Sequence, residues 1–139
     1  TRSVSAFLLT RSSDLDLGIP AIGFSYNDHA MDIDLSYAEK YIPEITRHLL
    51  EEGMPYGICY NVNFPVGPIE GIQWTRQAMG HWEKELAPHV DEQGRTYYTL
   101  VGTYINHEPD AEDTDDYAIS HHRISITPTS LDWTAYQLL

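Results

Sequence analysis

An apolar run followed by an amphipathic helix is the feature that most constrains what this chain can fold into. The run Ala21–Ser25 is nearly all apolar and lies between Pro20 and Asn27, which is typical of a short buried strand from the middle of a parallel sheet. From residue 38 to residue 49, apolar side chains recur at spacings of 3, 1, 3 and 4, which places them on one face of an α-helix. The residues of this face are Ala38, Tyr41, Ile42, Ile45 and Leu49. A strand and a helix that both need apolar partners predict an α/β fold for the front of the chain.

The signals for the ends of this helix predict that it spans about residues 36–52. Ser36 and Glu39 have the spacing of a capping box at its start, and Gly53 is a natural terminator. Pro43 lies inside the pattern, where a proline removes one hydrogen bond and clashes with the preceding turn. Either an early turn ends at Pro43 or one helix kinks there, and we expect the single kinked helix.

After Gly57 the pattern changes to that of strands, so the rest of the chain is expected to be rich in β-structure. Strands are predicted at Ile58–Phe64, at Ile69–Arg76 and at His122–Thr127, the last of which Pro128 closes. The residues from 133 to 139 are apolar enough to dock against the fold.

Two further strand patterns, Trp82–Val90 and Thr96–Tyr104, flank a turn sequence and predict a long antiparallel hairpin. Gly94 in that turn is expected at positive φ, and Pro88 implies an edge position or a break in the first arm. The hairpin carries four notable aromatic side chains, Trp82, Tyr97, Tyr98 and Tyr104. Such side chains form a stacking platform, a core or a subunit contact, and the acidic charge of this chain favours the last two.

The charge balance bears on the partners of the chain. Eight Lys and Arg residues face twenty-one Asp and Glu residues, which gives a formal charge of -13. Because binding to a nucleic acid duplex needs clustered basic side chains, that class of partner is excluded. The one cysteine, Cys59, excludes an internal disulfide framework and is expected to be a buried, inert thiol. With no apolar run close to the roughly 18 residues that span a bilayer, we expect a cytoplasmic protein with no membrane partner.

Two groups of residues invite a metal hypothesis. Among the seven histidines, His29 and the adjacent His121 and His122 have no recognised ligand spacing, so ordinary polar or interface histidines are the favoured interpretation. The segment 108–116 has six carboxylates in nine residues, which suits a calcium or magnesium ion but is better explained as a solvated acidic loop. Asp115 is expected to cap or orient a neighbouring segment. No nucleophile elbow, P-loop or other catalytic constellation is visible in the residues.

A family resemblance begins at Asn61–Pro65. This run, Asn-Val-Asn-Phe-Pro, resembles the Asn-Val-Asn-x-Pro segment of the SurE (survival protein E) family of 5'/3'-nucleotidases. Six other segments resemble family elements in the same order along the chain. They are Leu17–Ile22, Gly71–Arg76, Asp91–Tyr98, Thr114–Ala118, Ser125–Pro128 and Asp132–Ala135. Each segment alone is a weak signal, whereas all seven in order make the resemblance strong.

The resemblance implies the carboxy-terminal part of a three-layer, Rossmann-like α/β fold with a protruding antiparallel β-hairpin. It implies a 5'-nucleotidase, a phosphoric monoester hydrolase that acts on nucleoside monophosphates with a divalent cation such as Mg²⁺ or Mn²⁺. It also implies a homo-oligomer, either a dimer or a tetramer, in which the hairpin contacts a neighbouring subunit. The expected oligomer interface is therefore Trp82, Tyr97, Tyr98 and Tyr104.

The metal ligands of the family lie in motifs that this sequence lacks. They are an aspartate pair in Asn-Asp-Asp-Gly, a serine, and an asparagine in Ser-Gly-x-Asn-x-Gly-x-Asn, all in the amino-terminal half. No catalytic and no metal residue is therefore assigned in this chain. Residues 16–139 are expected to be the carboxy-terminal part of such an enzyme, inactive alone, and residues 1–15 a foreign or unstructured leader.

The alternative to an enzyme fragment is a non-catalytic oligomerisation module derived from the same family. In both cases the apolar strand and the helix face would normally pack against strands of the missing half. The chain alone is therefore expected to be oligomeric or poorly soluble.

Overall fold

The computed structural model describes residue 19 and residues 21–27, 34–130, 132 and 134. The predictions for the leader at residues 1–15 and for docking of the apolar carboxy-terminal residues lie outside this range. The elements in chain order are β1 (Ala21–Tyr26), α1 (Ser36–Glu52), β2 (Ile58–Phe64), β3 (Gly71–Trp74), β4 (Gly80–Glu83), β5 (Leu86–Val90), β6 (Thr96–Leu100), β7 (Thr103–Asn106), α2 (Asp115–Ser120) and β8 (Arg123–Ser130). Within this part of the chain, no helix has the length and apolar character needed to cross a membrane.

A four-stranded sheet in the order β1-β2-β8-β3 forms the centre of the fold. β1 and β2 run parallel, and the connection between them contains α1, as a parallel pair requires. β8 lies antiparallel to β2 and parallel to β3. The predicted α/β architecture is confirmed. β1 lies at an edge of the sheet, as far as the described strands show, and not in its middle.

The core lies between α1 and one face of this sheet. Successive strand residues point to opposite faces, so alternate residues of β2 from Tyr60 to Phe64 and of β8 from Ile124 to Ile126 are buried against the helix. The buried members of this cluster are Ala38, Ile45, Leu49, Tyr60, Val62, Phe64, Ile124 and Ile126. Full burial of one large apolar side chain contributes about 1.5–3 kcal/mol. Cys59 points away from this cluster and is buried beside Ala21, so the prediction of a buried thiol is confirmed.

The predicted bounds of α1 are confirmed, but the predicted capping box is wrong. The helix runs through Pro43 and ends at Gly53, which has a φ of 84°. Ser36 is the first helical residue, and Leu35 stands at the N-cap without a side-chain hydrogen bond. The Asp34 carboxylate takes over the capping role, because its Oδ1 accepts a 2.9 Å hydrogen bond from the Ser36 backbone N–H.

β8 continues past Pro128 to Ser130, although the sequence pattern predicts that Pro128 closes the strand. β3 pairs with β8 only as far as Ile126, whereas β2 pairs with β8 through Ser130. Pro128 therefore has a partner strand on one side only in the described structure. A residue without a backbone N–H is tolerated at such a position. β3 itself is shorter than the predicted Ile69–Arg76.

The long hairpin is confirmed, and it consists of two separate strand pairs. β4 pairs with β7 at the base of the hairpin, and β5 pairs with β6 next to the turn. The break comes at Lys84, a non-glycine residue with a φ of 52°. Gly94 in the turn has a φ of 76°, as predicted, and Pro88 lies in β5, which has one partner strand among the described residues.

The acidic segment 108–116 is a loop for most of its length but contains the start of α2, which the sequence pattern misses. Thr114 is the N-cap, and its hydroxyl accepts a 3.2 Å hydrogen bond from the Tyr117 N–H. Asp115 and Asp116 follow in the first turn, where the helix dipole favours negative charge. A six-residue helix is too short to show a 3.6-residue periodicity, which explains why it was not predicted.

Candidate functional site

The carboxyl ends of the parallel strands β1 and β2 form a polar edge of the sheet. Ser25 lies opposite Asn63 in the register, and the Ser25 hydroxyl donates a hydrogen bond to Oδ1 of Asn63. One residue further, the Asn27 N–H donates to the carbonyl of Phe64 at 3.0 Å. In open α/β sheets, ligands bind outside the carboxyl ends of the strands. We call the pair Ser25 and Asn63 the strand-end pair.

The polar character continues from the strand-end pair across the face of the sheet that is opposite α1. Asn63 lies opposite Ser125 of β8, and Asn61 lies opposite Thr127. The hydroxyls of Ser125 and Thr127 are 2.8 Å and 2.7 Å from Oγ1 of Thr75, and all three side chains are buried. These groups are neutral hydrogen-bonding partners, with no charged base among them. The three hydroxyls are hydrogen-bonded to one another and form a buried polar layer between β3 and β8.

A network of charged side chains fixes the base of the hairpin. The Arg76 guanidinium donates to both carboxylate oxygens of Glu108, at 2.5 Å and 2.9 Å, and its Nε donates to Asp113 at 2.8 Å. Oε1 of Glu108 also accepts a 2.7 Å hydrogen bond from the Met79 N–H, immediately before β4. These hydrogen bonds lower the pKa of Glu108 from its ordinary 4.5 to about 2, and the bond from Arg76 has the largest effect. The same contacts raise the pKa of Arg76.

Asp115 orients the segment that leads into the hairpin, as the sequence predicted. Its carboxylate is buried and accepts hydrogen bonds from the Ala78 N–H at 2.9 Å and from the Asp116 N–H at 2.8 Å. Three of the six carboxylates in the acidic segment, Glu108, Asp113 and Asp115, therefore contact the residues that follow β3. Within the described residues, no group of three or more His, Cys, Asp or Glu side chains is placed to hold a metal ion.

The four aromatic residues predicted as an oligomer interface do not form one platform. The rings of Trp82 and Tyr104 lie 5.4 Å apart across β4 and β7, and the Tyr104 hydroxyl donates to the carbonyl of Ala78 at 3.0 Å. Tyr97 and Tyr98 are successive residues of β6, so they point to opposite faces of the hairpin. The first pair thus belongs to the packing of the hairpin, while Tyr97 and Tyr98 are exposed.

Sequence reasoning missed the residues that organise the hairpin base. Arg76 and Glu108 are 32 positions apart, and no local motif marks them as partners. A second pair, His81 and His107, has its ring nitrogens 2.7 Å apart. The signal that finds both pairs is the register of the hairpin, which brings the start of β4 next to the end of β7.

The comparisons with known proteins agree with this fold. The family model described as Survival protein SurE matches residues 13–84. A protein of Phocaeicola vulgatus named 5'-nucleotidase SurE is 42% identical over 123 residues, which cover 88% of this chain and 48% of that protein. The 5'-nucleotidase SurE 1 of Thermus thermophilus is 36% identical with the same coverage.

A crystal structure of the SurE protein from Aquifex aeolicus matches with a TM-score of 0.69 and 29% identity, over 92% of this chain and 52% of that one. The chain spans about half the length of the curated relatives it matches. The predicted SurE-like α/β fold is thus confirmed by both sequence and structure. The chain belongs to the SurE family.

Proposed function

We propose that this chain is the carboxy-terminal part of a metal-dependent 5'/3'-nucleotidase that hydrolyses nucleoside monophosphates. The relatives named 5'-nucleotidase SurE support the reaction class. The match covers about half of each relative, which supports the proposal that this chain is one part of a longer enzyme. The structural observation that carries the proposal is the strand-end pair. It places neutral hydrogen-bonding groups at the edge of the sheet where α/β proteins bind ligands.

The cation of such an enzyme does not fit the residues that the structure describes. The described part has no group of three ligand side chains, and the sequence has no Asn-Asp-Asp-Gly motif. No step of the hydrolysis is therefore derived from these residues. The role proposed for Ser25 and Asn63 is to hold a polar segment or the substrate in place at the strand ends. The chemistry belongs to residues outside this chain.

The hairpin is proposed to contact a second subunit in a dimer or tetramer. Tyr97 and Tyr98 are exposed on it, together with the apolar Leu86 and Val90 of the neighbouring strand. Aromatic anchors of this kind are enriched at subunit interfaces. A cytoplasmic location is proposed as well, since the single buried Cys59 suits a reducing compartment.

The activity is tested by phosphate release from AMP and GMP in the presence of MgCl₂ or MnCl₂. We expect the 139-residue chain to release no phosphate that a chelator suppresses, because it lacks the ligand motif. A longer protein, encoded by the same gene with its upstream reading frame and containing an Asn-Asp-Asp-Gly segment, is expected to be active. Metal-dependent turnover by the 139-residue chain alone would contradict the proposal that the metal ligands lie outside this chain.

The second candidate function is a non-catalytic oligomerisation module. The exposed aromatic residues of the hairpin favour it, since a working surface of that kind needs no active site. The two candidates differ in the upstream reading frame. An in-frame aspartate pair favours the enzyme, and its absence favours the module.

A further inference from the structure

The hairpin base brings two histidine side chains into direct contact. In the register of β4 and β7, His81 lies opposite Ile105, so His107 is the diagonal neighbour two residues further on the same face. The His107 N–H donates a 2.9 Å hydrogen bond to the carbonyl of Met79, which fixes its backbone beside β4. The ring centroids lie 4.8 Å apart, and Nδ1 of His81 is 2.7 Å from Nε2 of His107.

Glu83 favours a proton on Nε2 of His81. Its Oε1 lies 3.3 Å from Nε2 of His81, on the side of the ring away from His107. A carboxylate at that position favours the Nε2–H form, so Nδ1 keeps its lone pair and points it at His107. His107 then donates the hydrogen bond of the pair from Nε2. A carboxylate on the far nitrogen is also the arrangement that orients histidines which bind metals.

We propose that Nδ1 of His81 and Nε2 of His107 form a binding site for a divalent transition metal ion of the Cu²⁺ or Ni²⁺ class. Metal–imidazole bonds are about 2.0–2.1 Å long, so two nitrogens at right angles around the ion are about 2.9 Å apart. The observed 2.7 Å is the length of an N–H···N hydrogen bond, and with the ring centroids 4.8 Å apart the two nitrogens face each other. Binding of an ion therefore requires both exposed rings to rotate so that their two lone pairs point at the ion. Square-planar and tetragonal sites with nitrogen and oxygen ligands are typical of these ions, and water completes the coordination.

The binding step is balanced without a change in the charge of either ring. The proton on Nε2 of His107 leaves through solvent and returns to Nδ1 of the same ring, so both imidazoles are neutral ligands. The site is reachable because the side chain of His81 is 49% exposed. The carboxylate of Glu83 and the net charge of -13 favour a cation there. A bound ion would join the two arms of the hairpin at its base.

The experiment titrates the 139-residue chain, prepared without a polyhistidine tag, with NiCl₂ and CuCl₂ in separate calorimetric runs. We expect one saturable site per chain and a melting temperature that rises with metal concentration, since only the folded hairpin presents both nitrogens. H81Q and H107Q should each abolish that site. E83Q should weaken it by about tenfold, as the loss of an orienting partner does.

The matched control is H89Q, because His89 is a third exposed histidine of the same hairpin and hydrogen-bonds to Thr99. It should leave the site unchanged, and circular dichroism verifies that all four variants are folded. Nitrogen-15 spectra of the metal-free chain at about pH 7.5 should show His81 in its Nε2–H form. Binding that survives both H81Q and H107Q, binding that H89Q abolishes equally, or the absence of a saturable site would each overturn the proposal.

Discussion

Glu108 connects the two sides of the hairpin base, because its carboxylate joins Arg76 to the Met79 N–H at the start of the hairpin. The hydrogen bonds from Arg76 and from the Met79 N–H hold the pKa of Glu108 at about 2, below the 4.5 of the unfolded chain. A carboxyl group whose pKa is lower in the folded state than in the unfolded chain stabilises the folded state at pH values above the pKa of the unfolded chain. This contribution is complete above about pH 4.5 and is lost as the pH falls through about 2.

The substitution E108Q tests this pH dependence. Glutamine keeps the shape but has no charge, so wild type should melt at a higher temperature than E108Q at about pH 6. The difference should shrink steadily between about pH 4.5 and pH 2, as the wild-type carboxylate takes up its proton. The measurement is thermal unfolding by circular dichroism at several pH values. E112Q, which alters an exposed carboxylate of the same segment, should show a small and constant difference, and a constant difference for E108Q would contradict the assignment.

At the scale of single residues, the role of a residue can be predicted when its neighbours in the sequence indicate that role. Asp115 was expected to cap or orient a neighbouring segment, and the hydrogen bond that it accepts from the Ala78 N–H confirms this, although it begins a helix that was not predicted. Gly94 is marked by its turn composition and has the expected positive φ. The partnership of Arg76 and Glu108 has no local signal, because it depends on where two distant segments meet in the fold.

At the scale of elements, the pair β4 and β7 depends on two residues that leave room for its aromatic side chains. A Cβ on Gly80 would lie 2.4 Å from the carbonyl oxygen of Ile105 and 2.4 Å from the hydroxyl of Tyr104. A Cβ on Gly102 would lie 2.9 Å from Cε3 of Trp82. The close approach at Gly80 involves backbone, so rotation of a side chain cannot relieve it.

We therefore expect G80A to destabilise the chain by about 1–3 kcal/mol, the usual cost of forcing extra volume into a packed site. The matched control is G71A in β3, where an added Cβ meets nothing within 4 Å. That substitution should be neutral or stabilise by about 0.4–1 kcal/mol, since alanine restricts the unfolded chain. Urea unfolding gives the free energies, and near-ultraviolet dichroism follows Trp82 and Tyr104. Equal effects of the two substitutions would contradict the expectation that a Cβ at position 80 collides with the backbone of Ile105.

A helix or strand could be predicted where its apolar pattern persists over many residues. The apolar spacing of α1 extends over about three turns, and the predicted bounds of about 36–52 agree with the observed helix. The division of the hairpin at Lys84 was not predictable, because lysine has no preference for positive φ. α2 is only six residues long and begins within an acidic run, so the sequence pattern predicted a loop where the helix starts. The continuation of β8 past Pro128 depends on how far β3 extends, which is a property of the sheet.

At the scale of the whole molecule, the described fold leaves apolar surface exposed. The sheet ends at β1 on one side and at β3 on the other, as far as the structure describes it, and Ile72 and Trp74 of β3 are exposed. The hairpin pairs only with itself among these strands and carries the exposed Tyr97 and Tyr98. Exposed strand edges and apolar patches promote association.

We expect the chain to associate through the hairpin, and Tyr98 is the cleanest probe of this contact. Its side chain is 61% exposed and lies on β6 opposite Pro88, whereas Trp82 packs within the hairpin and its removal would disturb the fold. Loss of an aromatic anchor at an interface costs about 2 kcal/mol or more, and about 1.4 kcal/mol already corresponds to a tenfold change in affinity. Y98S should therefore weaken self-association at least about tenfold in sedimentation velocity across a concentration series.

V66S provides the matched control, because Val66 is an exposed apolar residue outside the hairpin. Its association constant should equal that of the wild type if the hairpin is the contact. If Y98S and V66S weaken association equally, general loss of apolar surface explains both effects, and a specific contact through the hairpin is contradicted. A wild-type chain that is monomeric at every concentration would exclude both surfaces as contacts. The hairpin would then be an element whose partner, if it has one, is not a copy of this chain.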